Sequence, residues 1–170
     1  MTENRQSTEG VRQLYYLHGA ALVLYACSFV TDRGVAEDVV QGIFLRLLRQ
    51  PGPVPERPAA YLFRAVRNAA LNARRDRSRD APLARHEVWL NHPQGGRETA
   101  LAVEEALRAL PEEQMEVVVM RIWGGMTLAE AAEATGVPLN TAASRYRYAI
   151  GKLREHLKPY EKVISGEGSA

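Results

Sequence analysis

The sequence predicts an all-α chain of two small helical domains. Three observations carry this. Apolar residues recur at spacings of three and four in segment after segment, no stretch alternates apolar with polar as a strand would, and proline–glycine clusters cut the periodic segments into helix-sized pieces. The first domain is expected at 8–78, a linker at 79–97, the second domain at 98–158 and a frayed tail at 159–170.

The first helix is expected at 8–30, with Val11, Leu14, Tyr15, Leu22, Tyr25, Ala26 and Phe29 as its apolar stripe, ended by Thr31-Asp32-Arg33-Gly34. The second is expected at 35–49, where Val39, Val40, Ile43, Phe44, Leu47 and Leu48 recur while Glu37, Asp38, Gln41 and Arg46 stay polar. Gly42 in its middle costs about 1 kcal/mol relative to alanine, so it marks either close packing or a tolerated loss. Residues 50–58, QPGPVPERP, hold four prolines and form a stiff loop.

The third helix, expected at 59–77, buries Leu62, Phe63, Val66, Ala70 and Leu71. Its other side carries Tyr61, Arg64, Arg67, Asn68, Asn72, Arg74, Arg75 and Arg77. A run of charge is usually only a solvated face. Here amides and an aromatic are mixed with the arginines, which suits a strand with unstacked bases: cations track phosphates, rings stack and amides read base edges.

Residues 79–97 lack a sustained period and read as the linker. His86 and His92 lie there without cysteine or a dense carboxylate set, so no metal is expected, and Trp89 is expected to pack on a domain or partner. The second domain opens with a helix carrying Leu101, Val103, Leu107 and Leu110. Pro111 starts the next, at 112–123, where a missing N–H costs nothing. Gly124-Gly125 ends it.

Residues 127–157 then read as two helices around a tight turn. Thr127 and Glu130 have capping-box spacing, and Gly136-Val137-Pro138 breaks the first helix. The second, from Leu139, buries Ala142, Tyr146, Ala149, Ile150, Leu153 and Leu157. Its opposite side presents Asn140, Thr141, Ser144, Arg147, Tyr148 and Lys152. An ordinary helical hairpin with a solvated face would share this periodicity. The absence of any carboxylate between Asn140 and Arg154, and the short side chains at the helix start, favour a helix-turn-helix that enters a DNA groove.

The net charge of +2 hides a segregation. Residues 61–85 carry seven basic and two acidic side chains, 86–137 carry three basic and nine acidic, and 138–170 carry six basic and three acidic. Two phosphate-facing surfaces are therefore expected, with the acidic block facing solvent or a basic protein partner. No apolar run reaches membrane-spanning length, the first ten residues lack a signal-peptide pattern, and lone Cys27 is expected to be buried. A cytoplasmic protein is expected.

Four blocks, AEDVVQGIFLRL (36–47), AYLFRAVRNAALN (60–72), ALRALPEEQMEVVVMR (106–121) and TLAEAAEATGVPLNTAASRYRYAIGKLR (127–154), resemble in order and spacing a bacterial sigma factor of the extracytoplasmic-function (ECF) type, within the sigma-70 family. The resemblance implies a sigma-2-like domain, a flexible linker and a sigma-4-like helix-turn-helix domain. It implies core RNA polymerase and promoter DNA as partners and admits an anti-sigma factor; it implies no cofactor, metal, membrane or enzymatic activity. By resemblance, Asp38, Gln41, Leu45 and Arg46 form the polymerase-binding surface. Asn68 lines the pocket for a flipped minus-10 base, supported by Tyr61, Arg64 and Arg67. Thr141, Ser144, Arg147 and Tyr148 meet the minus-35 element, and Arg121 meets its backbone.

Three positions depart from the family pattern. Gly42 stands where glutamate is usual, Ala143 where lysine or arginine is usual, and Tyr61 where tryptophan is usual. Two other readings stay open on the residues alone. One is a helix-turn-helix regulator that never joins polymerase; co-purification with core polymerase separates it. The other is a helical protein-interaction module; a steep salt dependence of DNA binding separates that.

Overall fold

The computed structural model describes residues 2–50, 55–77 and 97–160. Among these the chain forms α1 (Thr2–Ala26), α2 (Arg33–Arg49), α3 (Pro58–Arg77), α4 (Arg97–Arg108), α5 (Glu112–Ile122), α6 (Leu128–Thr135) and α7 (Leu139–Leu157), then a 3-10 turn at Lys158–Tyr160. No strand occurs among them. The expected linker, with His86, Trp89 and His92, lies outside the described residues except for Arg97, which opens α4, and so does the tail beyond residue 160.

The first helix differs from expectation at both ends. It begins within the polar opening residues, which carry no amphipathic signal, and stops at Ala26 rather than Val30. There Ser28 and Phe29 turn their N–H groups to the carbonyls of Tyr25 and Ala26, tightening the last turn. Asp32 caps α2 by accepting from the Gly34 N–H at 2.8 Å. Pro58 occupies the first position of α3, where its locked φ suits a helix start.

The helix-turn-helix forms as its local chemistry requires. The Thr127 hydroxyl accepts from the Glu130 N–H at 3.2 Å, and Glu130 accepts from the Thr127 N–H at 2.8 Å. At the other end Gly136 takes φ 71°, and the N–H groups of Gly136 and Val137 return to the carbonyls of Glu133 and Ala132. This paired closure needs the left-handed residue that glycine supplies without steric cost.

α1, α2 and α3 pack on one another, and α4 to α7 form a second group in which α7 contacts α4, α5 and α6. One continuous apolar core runs through both groups. Leu22, Tyr25, Leu62, Phe63 and Val66 centre the first, and Leu107, Val118, Met120 and Met126 the second. Each such burial contributes about 1.5–3 kcal/mol. α1 meets α5 and α3 meets α6, so the groups touch along a seam. There a Cβ added to Gly124 would lie 2.8 Å from Phe63.

Packing decides the alternative left open at Gly42 and changes two expectations. Gly42 is exposed and a Cβ there would meet nothing, so it is a tolerated loss and not a close-packing device. Tyr15 and Leu48 are exposed rather than buried. Cys27 is buried as expected, and burial pushes its thiol pKa up to about 12.

Candidate nucleic-acid interface

The polar side of α3 is divided by the fold. Tyr61, Asn68, Asn72 and Arg75 are exposed and recur at helical spacing, forming one stripe. The Arg75 guanidinium donates to the Asn72 side chain, fixing both on that stripe. Arg67 and Arg74, seven residues apart, lie on an adjacent side that faces α5. Arg67 Nε donates to Glu116 Oε1 at 2.8 Å, and Arg74 Nη1 donates to Glu112 Oε2 at 2.5 Å. Arg64 reaches the C-terminal end of α6, donating to the Glu133 carbonyl at 3.1 Å, where the helix dipole favours a cation.

These contacts correct the expected destination of three acidic side chains of the block, while Glu98, Glu105 and Glu113 are exposed as expected. Glu112, Glu116 and Glu133 face neither solvent alone nor a separate basic protein; they meet the arginines of the same chain. Arg57, which the sequence reading did not single out, joins them through Glu133 at 3.0 Å. Glu116 is the central case. It is 2 % exposed, and its Oε1 accepts from both Arg67 and the Tyr25 hydroxyl. A buried carboxylate is tolerated only with such partners. Burial and the Glu116 charge together raise the Tyr25 pKa. For Arg67 burial opposes the charge, but the Glu116 hydrogen bond and charge outweigh it and raise its pKa.

The α7 side is open. Asn140, Arg147, Tyr148 and Lys152 are exposed, and Thr141 and Ser144 are half-buried near the helix start. The Ser144 hydroxyl donates to the Asn140 carbonyl at 2.9 Å and keeps its lone pairs for a partner. The Arg147 guanidinium lies 5.2 Å from the Tyr148 ring centre, so each holds the other in place. Exposed Arg121 of α5 reaches the Met126 carbonyl, beside the start of the helix-turn-helix.

Asp38, Gln41, Leu45 and Arg46 are all exposed on α2. Gln41 and Leu45 border an apolar groove lined also by Tyr15 and Tyr16 of α1 and by Phe44 and Leu48 of α2. The edge of Tyr15 rests on Phe44, ring centres 5.1 Å apart. A second apolar groove, with Ile122, Trp123, Tyr146 and Ile150 in its walls, leaves Tyr146 and Ile150 only half-buried. Among the described residues no cluster of histidine, cysteine and carboxylates could hold a metal, and no helix is long and apolar enough to cross a membrane.

Comparison with known proteins agrees with this layout. Residues 14–80 match the family model described as Sigma-70 region 2, and residues 100–153 match Sigma-70, region 4. The chain is 31 % identical over 158 residues to the ECF RNA polymerase sigma factor SigL of Mycobacterium tuberculosis, covering 85 % of this chain and 86 % of that protein. It is 22 % identical over 142 residues to the RNA polymerase sigma factor SigZ of Bacillus subtilis, covering 81 % of each. Among solved structures, it is similar to the sigma factor RpoE of Bartonella quintana, crystallised with the anti-sigma factor NepR. That match has a TM-score of 0.69 and 25 % identity, covering 86 % of this chain and 96 % of that one. It is also similar to CnrH in complex with the cytosolic domain of CnrY, with a TM-score of 0.59 and 27 % identity, covering 93 % and 96 %.

Proposed function

The chain belongs to the ECF sigma factors of the sigma-70 family, and we propose that its residues divide the work of promoter recognition among three surfaces. As a sigma factor it binds core RNA polymerase and directs promoter-specific initiation. The first domain, 8–78, carries polymerase docking and minus-10 recognition; the second, 98–158, carries minus-35 recognition.

On α2, Asp38, Gln41, Leu45 and Arg46 dock polymerase. Exposed leucine beside polar and charged groups suits a partner helix that buries apolar area and satisfies a polar rim. On α3, Asn68 hydrogen-bonds an extruded base of the minus-10 element, Tyr61 stacks beside it, and Arg64, Arg67, Asn72, Arg74 and Arg75 hold the strand. Capturing the base offsets an unstacking cost of a few kcal/mol. On α7, Asn140, Thr141, Ser144, Arg147 and Tyr148 meet the minus-35 duplex in the major groove, while Lys152 and Arg121 hold its phosphates.

The observation that carries this reading is the pairing, in one chain, of the Tyr61–Asn68–Asn72 stripe with a carboxylate-free recognition helix. A helix-turn-helix regulator working alone on duplex DNA has no use for the first. The chain supplies binding and no catalysis; polymerase performs the chemistry. It works in the cytoplasm beside that polymerase, and an anti-sigma factor binds it, as NepR is found bound to the sigma factor RpoE of Bartonella quintana. Co-purification tests the reading: the chain retains core polymerase on an affinity column, whereas a regulator that never joins polymerase does not.

A further inference from the structure

α7 opens on an apolar pair. Leu139 is its first residue and is 51 % exposed. Ala143 lies one turn on and is half-buried, so the two are neighbours on one row of the helix. Exposed Arg147 continues that row, and Asn140 and Ser144 form the row beside it. We propose that Leu139 and Ala143 form an apolar step that reads the 5-methyl groups of thymines in the minus-35 element. This rests on the assignment of α7 to that duplex.

The chemistry follows from what each kind of side chain can distinguish. Thymine alone carries a methyl group on its major-groove edge, and only an apolar group of short reach gains by touching it. A lysine or arginine, usual in the family where Ala143 stands, holds a phosphate, and a phosphate contact carries no direct sequence information. Alanine therefore exchanges a contact common to all sequences for one that depends on the base.

The start of α7 is shaped for a close approach. The N-terminal residues of a recognition helix are those that reach base edges. From Thr141 to Ser144 no side chain is longer than threonine, and the Ser144 hydroxyl folds back onto the Asn140 carbonyl at 2.9 Å. The short Ala143 side chain can then touch a base without a longer neighbour holding the backbone away. Pro138, at the cap, adds no polar group beside Leu139. A single exposed leucine is ordinary on a protein surface. This one is continuous with the duplex-reading surface, and a base that covers it removes apolar area from water on both partners.

The test uses the full chain bound to core polymerase. Promoter duplexes are selected from a random library, and each thymine of the minus-35 element is replaced singly by deoxyuridine, which lacks only the methyl group. Competition binding gives the penalty of each replacement. One or two replacements are expected to weaken binding about fourfold, the factor that one buried methyl group gives. Ala143→Gly is expected to abolish the penalty at one thymine, and Leu139→Ala to lower it at the other. Neither variant is expected to change the slope of log affinity against log salt, because no phosphate contact is lost. Lys152→Ala is expected to flatten that slope, weaken all the duplexes alike and keep the penalties.

Tolerance of deoxyuridine at every thymine overturns the proposal, and so do penalties that persist unchanged in both variants. Either result leaves the minus-35 assignment standing, since the selected duplexes are still bound. Selection of promoters that share no minus-35 element counts against the assignment itself, and the proposal falls with it. Should Ala143→Gly lose helicity by circular dichroism, Leu139→Ala decides alone: unchanged penalties at every thymine overturn the apolar step.

Discussion

Tyr25 of α1 donates its hydroxyl hydrogen to Oε1 of Glu116 on α5 at 3.1 Å, joining residues ninety-one positions apart. Both side chains are buried, and Arg67 completes the set at 2.8 Å. Tyr25→Phe keeps the ring against Phe29 and Phe63 and removes only this bond. The expected loss of stability is about 1–2 kcal/mol, the range for a hydrogen bond to a charged group. Urea denaturation followed by circular dichroism checks it.

Asn68 is exposed in the middle of the α3 stripe. Asn68→Ala is expected to leave the melting temperature unchanged and to lower open-complex formation about tenfold or more, the effect of losing contacts to a base edge worth about 1–3 kcal/mol. Permanganate footprinting of the melted promoter reads this. Full melting by the variant removes the base-pocket role.

Ala143 lies half-buried on α7 between Thr141 and Ser144 of the proposed contact surface. Ala143→Lys adds a cation where the family commonly has one. Duplex affinity is expected to rise, and the slope of log affinity against log salt to steepen by about 0.9, one further phosphate contact. Binding titrations at several salt concentrations supply both numbers.

Thr127 closes a capping box with Glu130. Thr127→Ala is expected to cost about 1 kcal/mol, because a helix of eight residues has few bonds of its own to hold its first turn. Thermal unfolding measures the cost.

Acid should erase part of the first group's stability in a defined direction. The Arg77 hydrogen bond, at 3.0 Å, and the Gly34 and Val35 N–H groups hold the Asp32 carboxyl below its usual pKa. A depressed carboxylate contributes stability above its unfolded pKa and loses it as pH falls through the folded one. Asp32→Asn keeps the helix cap and removes the ion pair, so its cost should stay under about 1 kcal/mol at neutral pH. That cost should shrink toward zero as pH falls through the depressed pKa, below the usual carboxylate range. Unfolding curves across pH test the convergence.

Local chemistry was legible in the sequence and long-range chemistry was not. The capping box, the Gly136 stop and the bounds of α7 depend on residues within one or two turns of each other, so spacing reveals them. The seam depends on Glu116 meeting residues 49 and 91 positions earlier, which no period encodes. One signal was present: Glu116 is the only polar residue in the run MEVVVM at 115–120. A carboxylate in an otherwise buried turn requires a partner. Polarity alone groups Arg67 and Arg74 with Asn68 on one surface. The structure separates them, since Arg67 and Arg74 each precede a stripe residue by one position and so lie about 100° around the helix, on the side facing α5.

Run-off transcription with core polymerase on a library of promoter sequences bears most directly on the account. Addition of the chain is expected to create new start sites that share two upstream elements, and the Asn68→Ala and Ala143→Lys variants to change use of the minus-10 and minus-35 elements separately. No new start sites, together with no association between the chain and core polymerase, would contradict it.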